Sequence, residues 1–553
     1  MGQARSFVLG LGVLCSASLL GLSAASQTLE APAEAPTQPA LAAEAPPSPD
    51  LGLAPPDLPA AVVTLTPDDR LQAALAAALG RLGDVTPQLP RREREALAAF
   101  YRDAKPLWVE DGGWTRAAEA VVARLKAADE DGLDPDDYRI PVLGGRSAAG
   151  PADWAEAELK LSAAALLYAR DARGGRIEPW RLSNHLTPKL ALPDPAEVLA
   201  RLREARDPGA ALAAYNPQHS GYRALKARLA ELRSTRRTPA APMVQVPRGP
   251  TLKVGMRDPR VPLIRARFKI GPAAGDAAAY DEQVASAVAA FQKEKGLPAS
   301  GILNAQTLAA LGGGPSPARL EGDLVANMER WRWLPTELGQ RHILVNVPEY
   351  RLRLLDRGEV VHQTRVIVGK TESPTPVFSD EMEHVIVNPS WTLPPSILKN
   401  EFLPALAADP TYAERKGYRI IRRGGTIAVQ QPPGERNALG LVKFIFPNDH
   451  AVYLHDTPNR SLFGAERRAF SHGCVRVDKP FLLAEAILKT EGSWPEERLR
   501  GLVGKGERYI RVRQLPVHLA YFTLQVDERG ELKSFDDIYG FHRKVKQALG
   551  LEG

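Results

Sequence analysis

The spacing of hydrophobic residues changes character along this chain. In the first half, apolar residues recur three or four positions apart, as in Ala118, Val121, Val122 and Leu125, which is the period of an amphipathic α-helix. From about residue 341 they alternate with polar residues, as in the segment 342–347, which is the period of a β-strand. The pattern therefore predicts a multidomain α+β protein in which a helical part precedes a β-rich part.

Residues 63–235 are predicted to form an α-helical scaffold domain. Its first helix should begin at Thr66-Pro67-Asp68-Asp69, because Thr caps a helix, Pro fits the first turn and acidic residues favour the N-terminus. The acidic run 129–137 lacks the glycine and the closing glutamate of a calcium loop, so we expect a solvated turn there. This sequence region contains no evident nucleophile or acid/base cluster.

A Pro-containing linker at 236–250 leads to a compact unit at 252–312, for which we expect three helices. Apolar residues mark one face of each predicted helix: Leu263, Ile264 and Phe268; Val284, Val288 and Phe291; and Leu308 and Leu311, after Thr307 opens the third helix. Turns are expected at Gly296-Leu297 and Gly301.

Residues 340–530 are predicted to form a β-rich, sandwich-like mixed domain. We expect strands at 342–347, 351–355, 360–368, 385–387, 441–446, 451–454, 508–513 and 517–526. Asp356-Arg357-Gly358 suits a hairpin turn, and 480–490 suits a helix. The insert 394–437 has helical and turn character and could cap a cleft. Residues 531–553 are expected to form a C-terminal helical tail.

The N-terminal 62 residues read as targeting and tether segments. Residues 1–26 resemble a removable secretory signal, with Arg5 before an apolar stretch and small residues near Ser26; an uncleaved membrane anchor is the alternative. Residues 27–62 are rich in Ala and Pro and predict an extended linker. We therefore expect an exported, periplasmic protein with no membrane span once the signal is removed.

Composition narrows the function classes without selecting one. The 553 residues include 25% charged and 44% hydrophobic residues, which is ordinary for globular protein, and the length predicts several domains. The net charge of +6 suits an anionic partner such as cell wall. The sequence has no basic run with interleaved aromatic residues, so we expect no nucleic-acid partner.

Cysteine usage points to one candidate nucleophile. The chain has two cysteines, and Cys15 lies in the predicted signal, so the mature protein should keep only Cys474. A lone cysteine cannot form an intramolecular disulfide, and its position after Ser471, His472 and Gly473 suggests a nucleophile.

A thiol of this kind needs a base, an orienting group and an oxyanion hole. Two histidines are candidates for the base: His472, and His455 at the end of a predicted strand. The carbonyl or the side chain of Asp456 could orient His455. The N–H groups of Gly473 and Cys474 could hold an oxyanion.

The residues alone leave other interpretations open. Arg476 could hold a substrate carboxylate, because it should share the face of the cysteine on a strand. His455, His472, Cys474 and His450 could form a zinc site, although structural zinc sites usually contain paired cysteines. A buried, inert cysteine is a third alternative.

Several segments together resemble the L,D-transpeptidases, cysteine enzymes that remodel peptidoglycan. The specific part is Tyr453-Leu454-His455-Asp456 followed by Ser471-His472-Gly473-Cys474-Val475-Arg476. The segments 327–335, 388–391, 434–443 and 446–448 resemble the large subtype that carries a scaffold. The order of residues in 281–311 resembles the small three-helix peptidoglycan-binding domain.

The resemblance implies roles for individual residues. Cys474 would be the nucleophile, His455 the base, and the carbonyl of Asp456 the group that orients it. The backbone at His472, Gly473 and Cys474 would form the oxyanion hole. Trp391 and Tyr453 would line the cleft, with Ser471 and Arg476 as further substrate-binding candidates, although Ser471 and His472 are favoured as loop-shaping residues. Many smaller members have Asn where Arg476 stands.

The resemblance also implies a reaction and partners. A tetrapeptide stem would acylate Cys474 as a thioester, and the diaminopimelate amine of a second stem would accept the acyl group, giving a 3→3 cross-link without metal or organic cofactor. Water, a D-amino acid or a lipoprotein lysine are alternative acceptors, and other wall-synthesis enzymes are conceivable partners. A non-catalytic wall-binding scaffold is the alternative from another class.

Overall fold

The computed structural model describes residues 66–551 apart from 111–112, 143–148, 238–243, 245, 248, 272–274, 312–315 and 424–425. The predicted signal and the Ala/Pro-rich linker, and Cys15 with them, lie outside the described residues, as does part of the 236–250 linker.

The first part of the described chain is helical, as predicted. Helices α1–α9 span Pro67–Leu79, Leu82–Val85, Arg91–Asp103, Arg116–Lys126, Pro151–Gly174, Pro179–Leu182, Pro195–Glu204, Pro208–Ala213 and Ser220–Arg237. Thr66 caps α1: its hydroxyl accepts from the Asp69 amide at 3.2 Å, and the Asp69 carboxylate accepts from the Thr66 amide at 3.0 Å. Two short strands, β1 (Val109–Glu110) and β2 (Gly113–Trp114), pair between α3 and α4.

The acidic run 129–137 is not the fully solvated turn expected from the sequence. Asp131 ends a short 3₁₀ turn (Ala128–Asp131) and is buried. Its carboxylate accepts from Lys226 Nζ at 2.7 Å and from the Tyr222 hydroxyl at 3.1 Å. Local composition could not reveal this, because both partners come from α9, about ninety residues away.

The compact unit after the linker contains α10 (Val261–Phe268), α11 (Glu282–Glu294) and α12 (Ala305–Leu311). Leu263 is 36% exposed, so it does not belong to the buried face predicted for the first helix. Gln292 connects the unit: its amide donates to the Ile302 carbonyl at 2.9 Å and to the Thr307 hydroxyl at 2.8 Å, and its carbonyl accepts from the Gly301 amide at 2.9 Å. These contacts explain the order of Gln, Gly and Thr in this segment.

The β-rich domain is one mixed sheet of nine strands. In chain order β3, β4, β5, β6, β10, β11, β12, β13 and β14 span Arg341–Asn346, Arg351–Asp356, Glu359–Gly369, Phe378–Val387, Val442–Ile445, Leu454–His455, Ala469–Ser471, Val475–Val477 and Arg508–Ala520. They lie in the order β12-β5-β13-β11-β10-β6-β14-β3-β4, and β4 also pairs with β5. Through the pairing of β4 with β5 the sheet curls around an apolar core, and β12 is an edge strand that pairs with β5.

Two strand predictions differ from the structure. The segment 451–454 was expected to be a strand throughout, but the strand β11 begins only at Leu454. Residues 508–513 and 517–526 were expected as two strands, whereas β14 continues across an irregularity between Arg511 and Leu515. Gln514 there has φ 46°. Helix α17 (Pro480–Leu488) follows the cysteine segment, and α18 (Glu496–Arg500) follows α17.

The insert 394–437 contains a β-hairpin that the sequence pattern did not indicate. Its helical part comprises α14 (Pro395–Ile397), a π-helical turn (Leu398–Phe402), α15 (Leu403–Ala408) and α16 (Tyr412–Arg415). Strands β8 (Arg419–Arg423) and β9 (Thr426–Gln431) then pair, and β9 also pairs with β7 (Trp391–Thr392). A small core of Leu393, Phe402, Ala413 and Val429 holds this cap together.

Helix α13 (Pro317–Trp331) and the residues after it join the scaffold to the sheet. Asn327 Oδ1 accepts from the Thr523 amide at 3.0 Å, and Arg330 Nη1 donates to the Tyr521 carbonyl at 2.7 Å, both beyond the end of β14. Arg332 instead turns to the scaffold, where Nη2 donates to the Asp131 carbonyl at 2.6 Å and to the Tyr222 hydroxyl at 2.9 Å.

The C-terminal segment is not purely helical as expected. Strand β16 (Leu532–Ser534) pairs with β15 (Leu524–Val526) before α19 (Phe541–Ala548) begins. No helix in the described part of the chain is long and apolar enough to cross a membrane.

Candidate active site

Cys474 lies at the turn between β12 and β13, where it is a half-buried residue that forms no disulfide within the described residues. The Ser471 hydroxyl organises this turn, because it donates to the Cys474 carbonyl at 2.5 Å and accepts from the Gly473 amide at 3.2 Å. Ser471 is only 2% exposed. The structure therefore places it inside the loop rather than on a substrate-facing surface.

The Gly473 amide was expected to contribute to an oxyanion hole. In the structure it instead donates its hydrogen bond to the Ser471 hydroxyl. Gly473 has φ 113°, a conformation that favours glycine. Its carbonyl accepts from the buried Thr375 hydroxyl at 2.8 Å, which fixes the turn from the other side. The amides of His472 and Cys474 make no hydrogen bond within the described residues and stay candidates for holding an oxyanion.

His455 reaches the site through the sheet. Strand β11 runs parallel to β13 with Leu454 opposite Val475 and His455 opposite Arg476. The Val475 amide donates to the Tyr453 carbonyl at 3.1 Å, so Cys474 lies beside the segment that leads to His455. Pairing of strands that are about twenty residues apart thus brings base and thiol candidates together.

The orienting group of His455 is the backbone of Asp456. His455 Nδ1 lies 2.5 Å from the Asp456 carbonyl oxygen. A carbonyl can only accept, so Nδ1 carries the proton and Nε2 keeps a lone pair. That tautomer suits a general base.

The Asp456 carboxylate serves a different purpose. It accepts from the Leu441 amide at 2.8 Å and from the Thr457 amide at 2.6 Å, and it forms an ion pair with Arg460. Gly440 allows this packing, because a Cβ there would lie 2.4 Å from Asp456 Cγ. The side chain therefore anchors the strand end.

Lys443, His455 and Arg476 form a row on one face of three neighbouring strands. Lys443 on β10 lies opposite His455 on β11, and His455 lies opposite Arg476 on β13. Directly paired residues project on the same side of a sheet. The alternate residues Phe444, Leu454 and Val475 are fully buried in the core, so the row faces away from it.

Burial and this row determine the protonation of His455. Burial lowers the pKa of His455 to about 3, with a further contribution from Arg476 and a smaller one from Lys443. The imidazole is therefore neutral at physiological pH and free to accept a proton.

The thiol experiences opposing effects. Burial raises the pKa of Cys474, while the Tyr453 backbone, Lys443 and Arg476 act to lower it. The Tyr453 ring packs edge-on against His455, with centroids 5.7 Å apart. Burial also raises the pKa of the Tyr453 hydroxyl well above its usual range, and the Trp391 indole opposes that rise. Tyr453 thus lies beside the thiol, and Trp391 lies beside the Tyr453 hydroxyl.

His472 faces the cap rather than the base position. Its Nε2 lies 2.7 Å from Glu401 Oε1 in the π-helical turn. The zinc alternative included His450, whose Nε2 instead lies 2.6 Å from the Thr187 hydroxyl of the scaffold segment. The described residues contain no group of three or more His, Cys, Asp or Glu side chains positioned to hold a metal ion.

Sequence reasoning missed Lys443, Thr375 and Glu401 as neighbours of the site. Alternation in the predicted strand 441–446 could have placed Lys443 on the face opposite Val442 and Phe444. No local signal identifies Thr375 or Glu401, because their contacts depend on chain crossings that only the folded structure shows.

Three segments of the chain match known protein families. Residues 340–491 match the family described as "L,D-transpeptidase catalytic domain". Residues 263–311 match "Putative peptidoglycan binding domain", and residues 95–229 match "Scaffold domain".

Individual relatives agree in class. A curated protein of Haemophilus influenzae named "Putative L,D-transpeptidase" is 36% identical over 244 residues, which cover 41% of this chain and 49% of the relative. The match thus spans about half the length of that relative. Among solved structures, an L,D-transpeptidase from Mycobacterium smegmatis is 12% identical over 32% of this chain and 58% of its own, with TM-score 0.18. One from Xylanimonas cellulosilytica is 17% identical over 49% of this chain and 98% of its own, with TM-score 0.16.

The chain is therefore a multidomain α+β protein with a helical scaffold, a small helical domain and a β-rich domain. Its β-rich domain is similar, over residues 340–491, to the L,D-transpeptidase catalytic domain family.

Proposed function

We propose that this protein is a cysteine-dependent L,D-transpeptidase that forms 3→3 cross-links between peptidoglycan stems. The observation that supports this most directly is the register of β11 and β13, which sets neutral, backbone-oriented His455 opposite Arg476, two residues after Cys474. A thiol next to an oriented imidazole is suited to acyl transfer.

In the first step, Cys474 Sγ attacks the carbonyl carbon of the third residue of a tetrapeptide stem. His455 Nε2 takes the thiol proton, and the amides of His472 and Cys474 stabilise the oxyanion. The C–N bond to the terminal D-alanine then breaks, and His455 returns the proton to the leaving amine. A thioester and free D-alanine result.

In the second step, the side-chain amine of diaminopimelate on another stem attacks the thioester. His455 removes a proton from that amine, a new amide bond forms, and the C–S bond breaks. The proton returns to sulfur, which restores the thiol. Neither step changes an oxidation state or requires a metal.

The other domains fit the same substrate. We infer that the peptidoglycan-binding domain holds the protein on the wall polymer, and that the protein acts outside the cytoplasm, in the periplasm. Other wall-synthesis enzymes are proposed as partners of the scaffold. The cationic row at the site suits carboxylate-bearing stem peptides.

Incubation with purified tetrapeptide muropeptides tests the reaction. We expect wild-type protein to produce cross-linked dimers and free D-alanine by mass spectrometry, and Cys474→Ala to produce none. The donor stem is also incubated with no added acceptor, with a D-amino acid or with a lysine peptide. Products of these three reactions report hydrolysis, exchange and anchoring, respectively, and distinguish them from cross-linking.

The two histidines provide a matched pair in the same assay. His455→Gln should reduce the rate by about 10²–10⁴-fold, the usual contribution of a general base, whereas His472→Gln should have a smaller effect. Dimer formation by Cys474→Ala would contradict the nucleophile assignment. A larger loss for His472→Gln than for His455→Gln would contradict the choice of base.

A further inference from the structure

Lys443 is a cation in the candidate active site to which the proposed proton transfers give no role. It lies on β10 directly opposite His455, in the row that Arg476 completes. Its Nζ lies 3.9 Å from the centroid of the Tyr453 ring, and the same ring packs against His455. The Tyr453 ring therefore contacts both the ammonium group, by a cation–π interaction, and the His455 imidazole.

The surroundings of Lys443 provide little neutralisation. The side chain is half-buried, and among the described residues no carboxylate forms an ion pair with it. Burial lowers the pKa of Lys443, while Cys474 and Glu507 act to raise it. A desolvated ammonium whose electrostatic partner is a thiol stabilises that thiol in its anionic form.

The charge of Lys443 favours the anionic form of the thiol but disfavours the cationic form of His455. A neighbouring cation disfavours protonation of imidazole, and Lys443 is among the causes that lower the pKa of His455. One ammonium group can thus favour the thiolate and the neutral imidazole together.

We propose that Lys443 is a positioning residue whose charge stabilises negative charge on the sulfur of Cys474 as the thiol proton leaves, and keeps resting His455 neutral as the acceptor of that proton. Its role in turnover rests on the proposed acyl transfer, whereas its effect on the thiol does not. Lys443 itself neither gains nor loses a proton: the thiol proton passes to His455 Nε2 and then to the leaving amine.

Other charged and titratable groups surround the thiol. They are Tyr453 before β11, His455 on β11, Arg476 on β13, His472 in the cysteine turn with its partner Glu401 in the cap, and Glu507 before β14. Arg476 acts in the same direction as Lys443 on both groups. Removal of Lys443 should therefore weaken the effect without abolishing it.

Alkylation of Cys474 by iodoacetamide tests this inference without any wall substrate. The thiolate forms an S–C bond, iodide leaves, and the thiol proton goes to solvent. The rate at Cys474, followed by peptide mass spectrometry across a pH series, reports the thiolate fraction.

In Lys443→Met, we expect the midpoint of this pH profile to move upward. Alkylation at neutral pH should become about tenfold slower if the midpoint rises by about one pH unit. Lys443→Arg keeps the charge and should restore most of the rate. Lys416→Met is the control, because Lys416 is an exposed lysine of the cap. Thermal unfolding confirms that each variant is folded.

An unchanged midpoint in folded Lys443→Met would overturn the inference, as would an equally large rise of the midpoint in Lys443→Arg. If Lys443→Met does not fold, Lys443→Gln replaces it in the same pH series, because it removes the charge and keeps a polar side chain. An unchanged midpoint in folded Lys443→Gln would equally contradict the proposal. These results stand apart from dimer formation, whose failure would concern the cross-linking function alone.

Discussion

At the scale of single residues, Asp456 separates two tasks that the sequence could not tell apart. Its carbonyl orients the His455 imidazole, while its carboxylate accepts from the Leu441 and Thr457 amides and pairs with Arg460. Burial raises the pKa of this carboxyl. Its hydrogen bonds to the two amides and its contact with Arg460 hold the strand end, so we expect the side chain to affect stability more than proton transfer.

Asp456→Asn should therefore affect folding more than catalysis. We expect the free energy of unfolding to fall by about 1–3 kcal/mol, because an amide cannot serve all three donors. The cross-linking rate should change by less than about tenfold, since the carbonyl remains in place. Thermal unfolding and the muropeptide assay measure the two effects, with exposed Asp449→Asn as control. A loss approaching about 10⁴-fold in a folded variant, as for a side chain that sets the tautomer, would contradict this division.

The residues of the cysteine motif could be predicted from the sequence, whereas the residues that surround them could not. Cys474 and His455 could be selected because a lone thiol near histidines limits the choice. The occupation of the Gly473 amide by Ser471 and the location of Lys443 depend on φ angles and strand register, which composition does not determine.

At the scale of elements, a contact between Glu401 and His472 connects the cap to the cysteine turn. Glu401 belongs to the π-helical turn, and His472 lies two residues before the thiol. Both side chains are partly exposed, at 50% and 38%, so the contact is screened by water. A contact of this kind contributes little free energy and should break readily.

Glu401→Gln should make Cys474 more accessible to a bulky thiol reagent. Exposed ion pairs contribute about 0.2–1 kcal/mol, so we expect up to about fivefold faster modification. Glu414→Gln, an exposed change elsewhere in the cap, is the matched control. Equal rates in wild-type protein and both variants would show that the contact does not hold the cap.

Some elements could be predicted from residues adjacent in the sequence, and others could not. The start of helix α1 could be predicted from its capping residues. The β4–β5 hairpin could be predicted from its turn residues Arg357 and Gly358, which both have positive φ in the structure. The β8–β9 hairpin was missed because its isoleucines are exposed on a protruding ribbon, so no core-facing alternation marks it.

At the scale of the whole molecule, α13 and the residues after it bind the scaffold and the catalytic sheet into one body. Asn327 and Arg330 bond to the segment after β14, whereas Arg332 and Glu329 bond to the scaffold. Arg332 is almost fully buried and makes contacts with Asn216 and Tyr222.

Arg332→Met should destabilise the scaffold–catalytic junction strongly. It would leave the buried Glu329 carboxylate without its cation and the Asp131 carbonyl without this donor. Loss of one partner of a buried ion pair typically costs about 3–5 kcal/mol. The expected result is a clearly lower midpoint of thermal unfolding, whereas Arg319→Met, an exposed change on the same helix, should have little effect. Similar midpoints for the two variants would contradict a central role for this junction.

The point where the cap enters and leaves the sheet has a further consequence. Val387 at the end of β6 pairs with Val442 at the start of β10, and the Asn388 amide donates to the Leu441 carbonyl at 2.9 Å. In topological terms, β6 and β10 are thus an ordinary hairpin whose loop is the entire cap. Loop-closure entropy grows only with the logarithm of length, so a much shorter loop could join the same two strands. We therefore expect that the size of the cap can vary while β6 and β10 keep the register that carries Lys443 to its place opposite His455.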